Sequence, residues 1–378
     1  MFRIIVALAL MLLSRASTMI GAGLQDATTP DAAQDAVKLI RLPVPTLRSK
    51  DVLVRQEASS LNHLDMLWDI LLPSATFYTA EAFWKVQGAF PKILGMDVSG
   101  TVVAVGSEVT KYSVGDQVWG FNAAGAVWDG STFGGLAGHA WAQFVRVSEG
   151  SIGLKPNKMN FTEAGSIPLC GLTALSALKA IGAPWKSGAT VVVLGATGGV
   201  GSLAVQIAKA LGATRLIATA SGSKADFVRS LGADEVIDYH TEQWFNSSRI
   251  ADKSVDAVLD TVLQPGTGDQ AYGKLKDGGG FATLCTGIPS CGAPAPSLLK
   301  ILARPSLKHV ALRCTSGSCA TSDNLNELRD LAEAGHLRAQ VQEIFKLGDI
   351  QAALTRFKAG HITGKISLTM TGNEDIIV

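Results

Sequence analysis

Four apolar positions in a row, Val191-Val192-Val193-Leu194, form a short β-branched run of the kind a strand buried on both faces requires. The period then changes. Val200, Leu203, Ala204, Ile207, Ala208 and Leu211 recur at helical spacing and place one apolar stripe against a sheet. Gly212 is a helix stop, and residues 215–219 read as the next strand. Strand–helix alternation extends to both sides. Helices are expected over 172–181 and 224–231, and short strands over 235–237, 257–259, 281–284 and 309–313. A helix over 324–333, a strand over 340–345, a helix over 348–358 and a strand over 365–370 close the pattern.

Upstream the pattern is different. Residues 37–42 and 51–58 alternate like strands around a turn marked by Pro43 and Pro45. Residues 62–72 are expected to be helical, and 76–89 are irregular and aromatic, with Phe77, Tyr78, Phe83 and Trp84. Residues 93–119 have strong β character, punctuated by Gly95, Gly100, Gly106 and Gly115, and 141–147 add another strand. The chain therefore reads as an antiparallel β-rich domain followed by a doubly wound α/β domain with a parallel sheet, to which the last strand does not belong.

Between the strand at 191–194 and its helix lie Gly195, Gly198, Gly199 and Gly201. A pyrophosphate must approach backbone N–H groups at a helix N-terminus, and a Cβ there blocks the approach. Ala196 holds the first position of the G-x-G-x-x-G spacing, before Gly198 and Gly201. Thr197, Gly198, Gly199 and Val200 are the candidate phosphate-binding residues. An NAD site carries an acidic residue at the end of the second strand. Here that strand runs into Ala220-Ser221 without one; Ser221 and Ser223 offer hydroxyls and Lys224 a positive charge, which suit a 2′-phosphate. NADPH is the expected cofactor.

Composition changes this picture little. A net charge of +1 on 378 residues gives no sign of a nucleic-acid surface. The five cysteines, Cys170, Cys285, Cys291, Cys314 and Cys319, are odd in number and contain no C-x-x-C pair, which argues against a disulfide framework or a structural zinc set. Residues 1–23 look like a processing segment: Arg3 is followed by an apolar run of ten over 4–13, too short for a stable membrane span, and then by small residues at 14–16. A secretory route and an organellar one, mitochondrial above all, both fit that pattern.

Several segments together resemble the medium-chain dehydrogenase/reductase superfamily, in its zinc-independent, quinone oxidoreductase-like branch. They are LPVPTLRSKDVLVRQEASSLNHLD at 42–65, LGMDVSGTVVAVGSEVTKYSVGDQVWG at 94–120, IPLCGLTAL at 167–175, the glycine turn, SLGADEVIDY at 230–239 and GHITGKISL at 360–368. The insert between Asp65 and Gly95 and the SGSC stretch at 316–319 are similar to the mitochondrial reticulon-interacting NADPH oxidoreductase subgroup. The resemblance implies a GroES-like β-rich catalytic domain over 24–167 and 320–378, a Rossmann NADPH-binding domain over 168–319, and a homodimer. It also implies that Tyr239 lies on the adenine side and that Lys365 lies close to the cofactor phosphate.

Two departures stand out. The family's first strand is not recognisable before Val37, and its glycine pair after the fourth Rossmann strand is replaced by Leu263-Gln264. The zinc-dependent relatives need cysteine, then Gly-His-Glu/Asp, then a second cysteine. This chain has Asn62, Gly95-Met96-Asp97 and Cys170 at those places, a poor set for tetrahedral zinc. Without metal, the hydride acceptor must already be activated, as in a quinone or an α,β-unsaturated carbonyl. Asn62 is the candidate for positioning substrate or the nicotinamide ribose, Asp65 of the N-x-x-D motif for bracing the loop, and Tyr78 for donating a proton. An enoyl-thioester reductase and a non-catalytic NADPH-binding scaffold are the alternatives.

Overall fold

The computed structural model describes residues 18–25, 33–66, 91–122, 139–185, 188–284, 295–312, 319 and 321–370. They divide into two compact units: residues 1–169, 315–330 and 341–378 in the first, 170–314 and 331–340 in the second. Tyr78 and the aromatic stretch around it lie outside the described residues, as do residues 1–17.

The first unit begins with β1 (Thr18–Leu24), α1 (Ala33–Ala36) and β2 (Val37–Pro43), followed by β3 (Asp51–Ser60), β4 (Lys92–Ile93), β5 (Asp97–Val105), β6 (Gln117–Phe121), β7 (Phe144–Ser148), β8 (Ile152–Leu154) and α2 (Phe161–Ala164). The unit boundary falls inside α3 (Pro168–Ala180). The second unit contains β9 (Ala189–Leu194), α4 (Gly199–Ala210), β10 (Ala213–Ala220), α5 (Ala225–Ser230), β11 (Glu235–Asp238), β12 (Val255–Asp260), α6 (Thr267–Lys274), β13 (Leu275–Leu284), α7 (Leu298–Ala303) and β14 (Lys308–Leu312). After α8 (Ser322–Glu333), the chain adds β15 (Val341–Lys346), α9 (Ile350–Lys358) and β16 (Lys365–Thr369) to the first unit.

The second unit has one parallel six-stranded sheet, ordered β11-β10-β9-β12-β13-β14. That is the doubly wound order, with its reversal between β9 and β12. All six residues of β9 are buried, as its unbroken apolar run requires. The first unit has a seven-stranded sheet, β15-β16-β3-β5-β6-β8 with β7 on β3, and a three-stranded sheet, β2-β1-β4. Among the described residues, the pairing of β15 with β16 is its one parallel ladder.

Two expectations change, and the two strands expected over 37–42 and 51–58 are present with partners the pattern did not name. The segment read as a processing signal over 1–23 overlaps β1, which pairs with β2 along its whole length and buries Met19, Ile20, Ala22 and Leu24. This is the first strand that the sequence pattern failed to reveal. Its Gly21 and Gly23 weaken the strand signal, yet Gly21 is needed: a Cβ there would lie 2.7 Å from Ile93 Cδ1. Residues 37–42 and 51–58 do not share a ladder; β2 pairs with β1, and β3 pairs with β5, β7 and β16. The helix expected over 62–72 is a single 3₁₀ turn, His63–Met66, in its described part. No helix among the described residues is long and apolar enough to cross a membrane.

Candidate functional site

In the second unit some glycines are needed by the fold, whereas Gly198 is required neither by a positive φ nor by close packing. Gly195 ends β9 in the left-handed region at φ +79°, and its N–H donates to Thr219 Oγ1 at 2.9 Å. A Cβ on Gly201 would lie 2.1 Å from the Gly195 carbonyl oxygen, so helix α4 can approach the turn only through a glycine. Gly198 is different. It caps α4 with an ordinary φ of −78°, and the nearest atom to a Cβ placed there is 3.9 Å away. Neither strain nor crowding accounts for it. The space left open faces the first amides of a twelve-residue helix, where a phosphate is held best. Thr197, Gly199 and Val200 flank it, each partly exposed. A cradle that a side chain would fill is what a pyrophosphate requires.

The loop after β10 completes this side. β10 and β11 run parallel with Ala220 opposite Asp238, so Ser221 and Tyr239 leave the sheet side by side. The Ser221 and Ser223 hydroxyls are 3.3 Å apart, and the N–H of Lys224 donates to the Ser221 carbonyl at 2.9 Å. Tyr239 is 59% exposed, its ring 4.3 Å from that of His240. The structure therefore brings together Ser221, Lys224 and Tyr239. It adds Asp238, which the sequence reading had not weighed: a Cβ on Gly222 would lie 2.5 Å from its Oδ2, and its Oδ1 accepts the His240 N–H at 3.0 Å. Its place in the IDY run was the available signal.

Asn62 and Lys365 belong to the first unit, in a buried polar cluster. Asp97 is fully buried. Its Oδ1 accepts the Leu169 N–H at 2.7 Å; its Oδ2 accepts Ser60 Oγ at 2.5 Å and Asn62 Nδ2 at 2.8 Å. Lys365 Nζ lies 3.9 Å from the same oxygen and donates to the Leu61 carbonyl at 2.7 Å and to Asn62 Oδ1. Asp65 Oδ2 accepts the Asn62 N–H at 2.8 Å and the amide Nδ2 at 3.3 Å, which closes the 3₁₀ turn. Asn62 is thus the hub, with both amide hydrogens committed to carboxylates. Lys365, which the resemblance put close to the cofactor phosphate, donates here to Leu61 and Asn62, with 5% of the residue exposed.

Asp65 Oδ1 is buried without a hydrogen-bond partner. Burial above all, and then the Asp97 charge, push the Asp65 carboxyl up to about 8, against the opposing pull of Lys365 and the Asn62 hydrogen bonds. A carboxyl raised that far holds its proton at neutral pH. Bracing of the loop by Asp65 is visible in its bonds to Asn62.

Residues 48–157 match the alcohol dehydrogenase GroES-like domain, and residues 231–368 match the zinc-binding dehydrogenase family. A 2-methylene-furan-3-one reductase from Solanum lycopersicum is 31% identical over 336 residues, which cover 88% of this chain and 75% of that protein. The chain belongs to the medium-chain dehydrogenase/reductase superfamily. Within this oxidoreductase superfamily, the mitochondrial NAD(P)H oxidoreductase RTN4IP1 of Homo sapiens is 31% identical over 346 residues, covering 83% of this chain and 80% of its own. The solved structure of the quinone oxidoreductase from Coxiella burnetii superposes with a TM-score of 0.73 at 29% identity, covering 93% of this chain and 99% of that one. The medium-chain fold explains the two units: a GroES-like β-rich part and a doubly wound dinucleotide-binding part.

Proposed function

We propose that this protein is an NADPH-dependent oxidoreductase that reduces a quinone or an α,β-unsaturated carbonyl without a metal ion. The observation that carries this reading is the end of β10, where the Ser221 and Ser223 hydroxyls lie 3.3 Å apart, Lys224 closes the same turn through its N–H, and exposed Tyr239 follows the neighbouring strand. Two hydroxyls and an ammonium suit a 2′-phosphate. The amides from Thr197 to Val200 hold the pyrophosphate at the open Gly198 position. When bound, the cofactor supplies a hydride from the nicotinamide ring.

The residues at the family's zinc-ligand places do not suit zinc. Asn62 offers an amide whose oxygen already accepts from Lys365, Met96 a buried thioether, Asp97 a carboxylate with both oxygens already accepting hydrogen bonds, and Cys170 a single buried sulfur, which together do not make a tetrahedral set. An acceptor reduced here must carry its own activation, and conjugation to a carbonyl provides it. Relatives named an alkenal/one oxidoreductase and a quinone oxidoreductase homolog, both from Arabidopsis thaliana, support that class. Reduction adds the hydride to the conjugated system and a proton to the resulting anion. Asn62, fixed by Asp97, Asp65 and Lys365, keeps the turn at 61–66 in one conformation. Tyr78 is the proposed proton donor.

Organellar targeting, mitochondrial in the first instance, is the proposed localisation, supported by relatives named as mitochondrial or chloroplastic. A homodimer is the proposed assembly. Leu298, Leu299 and Leu302 of α7 are 69%, 80% and 68% exposed, just before the sheet's end strand β14.

The test is NADPH oxidation by the full-length chain with ortho- and para-quinones, an alkenone and a short enoyl thioester in parallel. Turnover with quinone or alkenone, favouring NADPH over NADH, is expected. Use of the thioester alone points to an enoyl reductase, and tight NADPH binding without turnover points to a scaffold; either outcome rejects the proposal. Equal use of NADH rejects the roles given to Ser221 and Lys224.

A further inference from the structure

Strands β12 and β13 pair in parallel, but their register jumps. Val255 stands opposite Leu275 and Ala257 opposite Gly280, so Asp256 alone faces the four residues Lys276-Asp277-Gly278-Gly279. The longer side leaves the ladder as a bulge. Gly278 turns it in the left-handed region at φ +79°, which a residue with a Cβ adopts only under strain. Nothing lies within 4 Å of a Cβ placed on Gly278, so the bulge is open around it. The fold therefore demands a glycine directly after Asp277.

A second demand fixes Asp277 itself. Arg304 follows the last residue of α7, and its guanidinium donates to Asp277 Oδ1 at 2.7 Å and to the Tyr272 carbonyl. At the start of the same helix, the Ser297 N–H donates to Asp269 Oδ1 at 2.6 Å. One carboxylate thus holds each end of α7. The Asp277 side chain is nonetheless 80% exposed, so water reaches its carboxyl. The hydrogen bond and charge of Arg304, with a smaller contribution from Lys253, hold that carboxyl below the ordinary carboxylate range.

Together the two demands place an aspartate before a glycine in an exposed bulge, and glycine offers the least hindered peptide nitrogen. When the Asp277 carboxyl is protonated, the Gly278 nitrogen can attack its Cγ. The N–Cγ bond forms, the Cγ–OH bond breaks, and one water departs with the amide hydrogen, leaving a five-membered imide. Water then opens the ring. Cleavage at the Cγ carbonyl restores aspartate. Cleavage at the backbone carbonyl leaves isoaspartate, in which the main chain runs through Cγ and the α-carboxylate is free. Only water leaves and enters. An ionised carboxylate is a poor substrate for the first step, so the Arg304 contact opposes it.

We propose that Asp277-Gly278 is a site of aspartate-to-isoaspartate rearrangement, and that Arg304 sets its rate. The product carries a free α-carboxylate, the group that an isoaspartyl methyltransferase esterifies. It also lengthens the main chain by one methylene and displaces the carboxylate that Arg304 holds, which loosens the end of α7. The test ages the full-length chain at neutral pH in heavy-oxygen water, beside Arg304→Gln and Asp277→Glu, and maps the peptides. Isoaspartate and heavy oxygen are expected at 277 in the wild type and at a several-fold higher rate in Arg304→Gln. Isoaspartate is expected to be absent there in Asp277→Glu, whose longer side chain cannot close the five-membered ring. Asp129-Gly130, the other Asp-Gly pair of the sequence, reports general loosening of the chain. A rise confined to 277 supports the role of Arg304. An equal rise at both pairs, or equal rates at 277 in the two chains, overturns that role. No isoaspartate and no heavy oxygen at 277 in either the wild type or Arg304→Gln overturns the site. None of these readouts requires cofactor or turnover, so they stand or fall apart from the activity proposed above.

Discussion

The two units treat their polar side chains in opposite ways. In the first, Asp97, Asn62, Asp65 and Lys365 bond to one another inside the protein, with Asp65 Oδ1 left over, and all four are at most 5% exposed. In the second, the turn at Gly198 and the loop at Ser221–Lys224 present amides, hydroxyls and an exposed tyrosine ring at the C-terminal ends of parallel strands. The closed cluster holds a backbone shape; the open one is the proposed seat of the cofactor. A change in the closed cluster should therefore appear first as lost stability, and a change in the open one first as lost affinity.

The largest effect comes from removing the strand that encloses the first unit. Met19, Ile20 and Leu24 are buried, and burial of each is worth roughly 1.5–3 kcal/mol. Their sum rivals the about 5–15 kcal/mol that stabilises a whole domain. A chain lacking residues 1–24 should lose cooperative folding of the first unit, while one lacking residues 1–16 keeps it. Thermal melts with limited proteolysis distinguish the two, and equal melts would remove β1 from the core.

Lys365→Met should cost about 3–5 kcal/mol in urea unfolding, because it strands the buried Asp97 carboxylate. Lys224→Met should cost about 1 kcal/mol or less and raise the KM for NADPH. Reversed magnitudes would undo the contrast between the units.

Asp65 gives a pH signature. Its carboxyl is raised from 3.8 to about 8 in the folded chain, so between those values the native state holds a proton that the unfolded state has released. Its contribution to stability is complete below the lower value and declines as pH rises toward the upper one, by at most about 1.4 kcal/mol per pH unit. Asp65→Asn should flatten that decline. Identical slopes for the two proteins in urea unfolding across this range would show that Asp65 is ionised.

The smallest stability change is expected at Gly198. With its ordinary φ and open surroundings, Gly198→Ala should leave the fold unchanged or stabilise it by about 0.4–1 kcal/mol while reducing NADPH affinity. Gly201→Ala, which drives a Cβ against the Gly195 carbonyl, should destabilise the fold. Full NADPH affinity in Gly198→Ala would mean that the open space is not a phosphate site.

What could be read in advance follows the distance over which each signal acts. The β9–turn–α4 unit is local, and its apolar period, its glycines and its stop at Gly212 all fall within a short window. Ser221 was readable at the end of its strand, whereas Tyr239 was legible only through the family's IDY motif. β1 was hidden because TMIGAGL has two glycines and follows an apolar run that looks like a targeting signal. The bond from Lys365 to Asn62 joins residues 303 positions apart, and no periodicity encodes such a pairing. The left-handed φ of Leu263 was equally hidden, because leucine carries no local preference for it. Family likeness placed Lys365 in a recognisable motif, but only its neighbours in space show where its charge goes.

The interrupted layout of the first unit has a consequence for synthesis. All six strands of the parallel sheet lie between residues 189 and 312, so that sheet is complete before β16 has been translated. The first unit must wait for residues 365–369, which pair with β3 and deliver Lys365 to Asp97. On the ribosome, a nascent chain thus carries a finished nucleotide-binding sheet while Asp97 remains in water without its cation.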